Sequence, residues 1–127
     1  MKKFALPVLL LTALPACAQG WVNYAQNDAG VLYFDSLRTR KMGDTAFVWD
    51  LHDLSAPARD VQGRTFQSAL YATEYQCRAR KRRVLRQSTL SGKMGSGDTV
   101  SEESQVSAWS EVTPGSIADE LFKHICE

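Results

Sequence analysis

The chain predicts an α+β domain: an antiparallel β-sheet of about six strands, with one C-terminal α-helix packed on a face and tethered there by a disulfide. Three observations lead to it. Apolar and polar residues alternate with a period of two in successive segments between Trp21 and Val112. Turn-forming clusters such as Asn27-Asp28-Ala29-Gly30 and Gly43-Asp44 separate those segments. The period then changes to nearly four, once, over the last residues, where Ala118, Leu121, Phe122, Ile125 and Cys126 fall on one side.

In chain order, the first element is an address. Met1-Lys2-Lys3 is a positive start, Phe4 to Leu14 is apolar, and Pro15 precedes the small-residue tripeptide Ala16-Cys17-Ala18. This is the pattern of a secretory signal, residues 1–18, and its apolar run is shorter than the about 20 residues a membrane span needs. Two cleavages fit. Cutting after Ala18 leaves a soluble exported domain, 19–127, in the periplasm or medium. Cutting before Cys17, with 1–16 as a lipoprotein signal, leaves an acylated Cys17 anchored in the outer membrane of a Gram-negative cell. That anchor is the only membrane contact expected.

Removing residues 1–18 changes the arithmetic. The whole chain has 127 residues, 44% hydrophobic and 23% charged, with 15 basic and 14 acidic side chains. Those values fit one globular domain and exclude a coiled coil or a disordered tail. The exported part has 109 residues, 13 basic and 14 acidic side chains, and two cysteines, Cys77 and Cys126. In an oxidising compartment the simplest pairing of two cysteines is with each other. A reactive thiol would need a spare cysteine and a base, and His124 sits only two positions from Cys126, on a different side of a helix.

Trp21 to Ala25 and Val31 to Phe34 read as a hairpin across the Asn27 to Gly30 turn. Ser36 to Met42 carries no assignable period. Thr45 to Leu54 alternates, with Phe47, Trp49 and Leu51 on one parity and Asp50 and His52 on the other, and is expected to be a half-buried strand. Ser55 to Gly63, with Pro57 and Asp60, is expected to be a loop. Thr65 to Gln76 resumes strand character and Arg78 to Leu90 continues it, with a bulge or turn near Cys77 and Ala79 separating the two strands. Gly92 to Asp98 is read as a flexible loop, Val106 to Val112 as the last strand, and Thr113-Pro114 or Ser116 as the helix cap.

The chemistry available is sparse. Two histidines, His52 and His124, lie in different elements, and no H-E-x-x-H, C-x-x-C or G-x-S-x-G is present. Asp50 and Asp53 differ in parity, which separates them across the sheet instead of pairing them for acid–base work. The glycine-rich run lacks the order of a P-loop or a dinucleotide fingerprint. No enzyme activity, cofactor or metal is expected; a small enzyme or enzyme inhibitor using the glycine loop is the weakest alternative. The unusual feature is Arg78-Ala79-Arg80-Lys81-Arg82-Arg83-Val84-Leu85-Arg86. On a regular strand, Arg78, Arg80, Arg82 and Arg86 share a face, with Lys81 and Arg83 opposite. Such a ridge fits acidic polymers or proteins, with nucleic acid set aside for an exported chain, or else protects an edge and pairs within the chain.

The order of Tyr33-Phe34-Asp35-Ser36, Val48-Trp49-Asp50-Leu51, Ser68 nine residues before Cys77, Ser91 to Gly97, Trp109, and Pro114-Gly115-Ser116 before a helix ending at Cys126 resembles the bacterial surface-adhesin protein E family. The likeness spans nearly all of the exported chain. It implies the same sheet with a disulfide-tethered helix. It also implies a non-enzymatic binding domain, since the family includes a lipid-anchored adhesin that captures host extracellular-matrix and plasma proteins and can form a homodimer. Candidate ligand contacts are Arg64, Arg78, Arg80, Arg82 and Arg86. Two features differ from the family's lipid-anchored form: Pro15 in the lipobox and almost no linker before the domain. They leave a periplasmic or envelope-associated structural domain without a host ligand as the alternative.

Overall fold

The computed structural model describes residues 20–127 together with Ala5. The cleavage points and Cys17 lie outside the described residues. Eight strands form one antiparallel sheet: β1 (Trp21–Asn27), β2 (Gly30–Asp35), β3 (Arg40–Met42), β4 (Thr45–Arg59), β5 (Thr65–Gln76), β6 (Lys81–Leu90), β7 (Thr99–Glu103) and β8 (Ser110–Glu111), followed by helix α1 (Ile117–Cys126). The order is β1-β2-β4-β5-β6-β7, with β3 on β4 and β8 on β6. Since β5 occupies one side of β4, β2 and β3 share the other, and β7 and β8 likewise share one side of β6. The eight strands thus occupy six lanes, the expected number.

The helix forms where the period changes. Ser116 is its cap, accepting from the Asp119 N–H at 3.2 Å, and Asp119 accepts from the Gly115 N–H at 2.9 Å. Leu121, Phe122 and Ile125 pack against Tyr24, Leu32, Phe34, Ala46, Val48, Tyr75 and Val112 in one core. The Cys77–Cys126 disulfide closes this layer with the Cα atoms 5.4 Å apart. On β4 it is the small-side-chain parity, Ala46 and Val48, that faces the helix and lets it approach. Phe47 and Trp49 lie half-buried on the opposite face.

Three expectations change, and the unassigned Ser36 to Met42 segment acquires structure. Ser55 to Gly63 is not all loop: β4 runs to Arg59, because the register with β5 shifts between Asp53 and Ala58 and leaves Pro57, which has no N–H, in the bulge. Only Asp60 to Gly63 turns. Val106 to Val112 pairs as a strand only at Ser110–Glu111, and the longer partner of β6 is Thr99–Glu103, whose single apolar residue hides it from a period-two reading. Ser36 to Met42 holds a 3-10 turn, Ser36–Arg38, capped by Asp35, and then β3.

The glycine-rich run is fastened, not loose. Asp53 Oδ1 accepts from the Met94 N–H at 2.7 Å, Ser68 Oγ accepts from the Gly95 N–H at 2.9 Å, and the Ser68 hydroxyl donates to the Gly92 carbonyl at 2.6 Å. Both anchors are buried, so leaving either loop donor unpaired would carry a desolvation cost. The strap covers Leu51 and Leu70, on the face away from the helix.

Candidate functional site

The basic segment does not form one ridge. Arg78 and Arg80 lie in the turn before β6, and Arg80 takes φ 54°. Within β6, Arg82 stands opposite Tyr75, on the helix side. The register then shifts between the Arg86–Ala72 and Val84–Thr73 pairs, so Arg86 emerges on the other face. The shared face expected for Arg82 and Arg86 is therefore absent, because one extra residue in a strand reverses parity beyond it.

Most of these cations are paired within the chain. Arg80 donates to Asp119 Oδ1 at 2.8 Å and its guanidinium lies 4.4 Å from the Phe122 ring centroid. Arg83 donates to Glu74 at 2.9 Å and covers Trp109 at 4.4 Å. Arg78 lies 3.5 Å from Asp44, and Arg86 pairs with Glu102. Arg82 faces a polar cluster instead. There the Tyr24 hydroxyl donates to Asp50 Oδ2 at 3.1 Å, His52 Nε2 lies 3.1 Å from the same oxygen, and the His52 and Tyr71 rings are 4.7 Å apart. Burial, reinforced by Asp50, holds the Tyr24 and Tyr71 phenols above their ordinary value. Burial pushes Tyr75 up to about 12, against the opposing pull of Arg82.

Asp119 supplies a pH signature. The Gly115 N–H and then Arg80 hold its carboxyl below the ordinary 3.8, with burial acting the other way. A lowered folded value means that the stability it adds is complete above 3.8 and is lost as pH falls through the lowered value. Asp119→Asn is therefore expected to flatten the acid limb of stability. Urea midpoints of both proteins across that range check it, and parallel acid limbs would refute the assignment.

Open grooves lie at both ends of the sheet. At one end, the β4–β5 turn projects Val61, which is 97% exposed, above a groove bordered by Arg59, Arg64, Phe66, Tyr71 and Glu102. Arg64 is held there by Asp60, whose carboxylate accepts from its Nε at 2.9 Å and from its backbone N–H at 2.9 Å. At the other end, a groove of about 490 Å³ is bordered by Leu37, Arg38, Arg40, Met42, Phe47 and Trp49. Arg38 is clamped by Asp35 at 2.6 Å and lies 5.4 Å from the Trp49 ring centroid. Sequence reasoning passed over Val61 and the Leu37 to Met42 segment. The available signal was apolar residues standing alone among basic or turn residues.

Among the described residues, no three His, Cys, Asp or Glu side chains come together as a metal site. The Met94 and Gly95 N–H groups, which a phosphate cradle would use, are spent on Asp53 and Ser68. The molecule is thus an antiparallel sheet domain stapled to one helix, with its open surfaces at the two ends of the sheet. The chain belongs to the surface-adhesin protein E family, whose model matches residues 21–127. Its fold is similar to that of Haemophilus influenzae protein E: one structure gives 14% identity and a TM-score of 0.67 over 84% of this chain and 83% of the other. A second crystal form gives 14% and 0.69 over 84% and 87%, and protein E from a non-typeable strain gives 15% and 0.66 over 84% and 75%. No curated protein matches the chain.

Proposed function

We propose that this protein is a non-enzymatic exported binding domain that captures host extracellular-matrix or plasma proteins through the β4–β5 end of its sheet. The observation that carries this reading is Val61, an almost fully exposed aliphatic side chain on a turn braced by Asp60 and Arg64, above a groove of mixed polarity. An apolar tip on a braced turn, rimmed by side chains of both charges, is the anatomy of a contact core with a polar rim. Arg64 belongs to that rim, and Arg86 reaches it through Glu102. Arg78, Arg80 and Arg82 remain secondary contacts. Export by the signal at 1–18, with acylated Cys17 as the anchored version, would place the domain where such partners are found.

The test is solid-phase binding of the exported protein to a basement-membrane extract and to plasma. Val61→Asp combined with Arg64→Ser is expected to lower retention about tenfold or more, since charge is placed at the contact core and a rim cation is removed. Undiminished retention would refute the tip as the contact. The ion pairs of Arg78, Arg80 and Arg86 favour a second reading, an envelope-associated structural domain with intrachain arginines, in which neither preparation retains the protein.

A further inference from the structure

We infer that the end of the sheet opposite the β4–β5 tip is a docking surface for an anionic phospholipid bilayer. Between Leu37 and Met42 the chain presents two exposed apolar side chains, 66% and 70% accessible, with Arg38, Arg40 and Lys41 between them and no acidic residue in the segment. Apolar protrusions alternating with cations along one edge are what a membrane interface takes: the apolar groups enter the headgroup layer while Arg40 on one face of the edge and Lys41 on the other meet phosphate. Asp35 is buried against Arg38 and the two neutralise each other, while Asp44 faces Arg78, so the cations of the segment that make no ion pair among the described residues are Arg40 and Lys41, the Lys41 ammonium donating to the Cys126 carbonyl at 3.3 Å.

The path of the chain supplies an independent argument. Gly20 enters the fold at this end, its carbonyl accepting from the Ser36 N–H at 2.8 Å, next to Leu37. Cys17 is three residues upstream in the sequence, a contour of at most about 11 Å. An acyl chain on Cys17 would thus bring the bilayer to the Leu37 to Met42 segment. Even without one, the same surface carries its own apolar and cationic groups. Docking in this orientation turns the Val61 tip away from the membrane. It holds whether or not that tip has a protein ligand.

The test uses protein produced from the full chain carrying Cys17→Ser, so that no acyl chain contributes. It should co-sediment with phosphatidylethanolamine–phosphatidylglycerol vesicles at least about tenfold better than with phosphatidylcholine vesicles. Brominated phosphatidylglycerol should quench its tryptophan fluorescence, because Trp49 borders the groove. Leu37→Asp with Met42→Asp, and separately Arg40→Glu with Lys41→Glu, should each abolish the partitioning, whereas Val61→Asp should leave it intact. All five positions are exposed, and circular dichroism confirms folding of each variant. No vesicle binding, binding retained by either double variant, or loss on Val61→Asp would overturn the proposal. So would heparin retention through the same residues without vesicle binding, which would assign the surface to a soluble polyanion.

Discussion

Replacing Cys77 and Cys126 together with serine is expected to destabilise the protein by about 4 kcal/mol, because the bond closes a loop spanning 49 positions and removes that much chain entropy from the unfolded state. The loop contains β6, β7, β8 and α1, so the unfolded chain regains the freedom of three of the eight strands and the helix. Domains of this size have only about 5–15 kcal/mol in total, so the variant is left with little reserve. Cys126 is also the last residue of α1, and without the bond that end is held by apolar packing, the His124 ring against Phe34 and the Lys41 ammonium, which donates to the Cys126 carbonyl at 3.3 Å. Urea unfolding with and without dithiothreitol measures the effect, with a midpoint fall of about 2–4 M expected. An unchanged midpoint on full reduction would show that the fold owes nothing to the staple.

Phe122→Ala is expected to cost about 3–5 kcal/mol, the range for deleting a buried aromatic ring and leaving a cavity. Phe122 is 3% exposed, its ring centroid lies 6.2 Å from that of Tyr75, and its ring also carries the Arg80 guanidinium. The loss therefore extends to the platform beneath an ion pair with Asp119. The two lesions act on one helix, so they should not add: once either has freed α1, the other has less to remove. Urea midpoints of the single and combined variants decide this. A combined loss equal to the sum would mean that helix and staple stabilise separate parts.

Legibility varied with the range of the cause. The Trp21 to Phe34 hairpin, the Cys77 turn and the C-terminal helix were readable because neighbouring residues determine them: Asn27 accepts from the Ala29 and Gly30 N–H groups within its own turn, and Ser116 caps its own helix. Asp50 and Asp53 do stand on opposite faces, one against Tyr24 and one under the glycine strap. β7 was missed because an edge strand with one exposed side needs little apolar content. β3 was missed because three residues are too few to show a period. The arginine ridge was misread for a more specific reason: a bulge in β6 inserts one residue, and one residue is half a period.

The sequence by itself determined the pairing of Cys77 with Cys126, the six lanes of sheet and the C-terminal helix, since each follows from composition or from periods of two and nearly four. Only the tertiary structure decided which face of β4 the helix covers, which arginines meet a carboxylate and which side chains stand free at the two ends. Alternation says that a strand has two faces without saying which is buried. The helix came to rest on Ala46 and Val48 because small side chains permit close approach, leaving Phe47 and Trp49 to line the opposite face. Likewise a charge becomes a partner or a free contact through residues tens of positions away, as Arg80 and Asp119 do across 39.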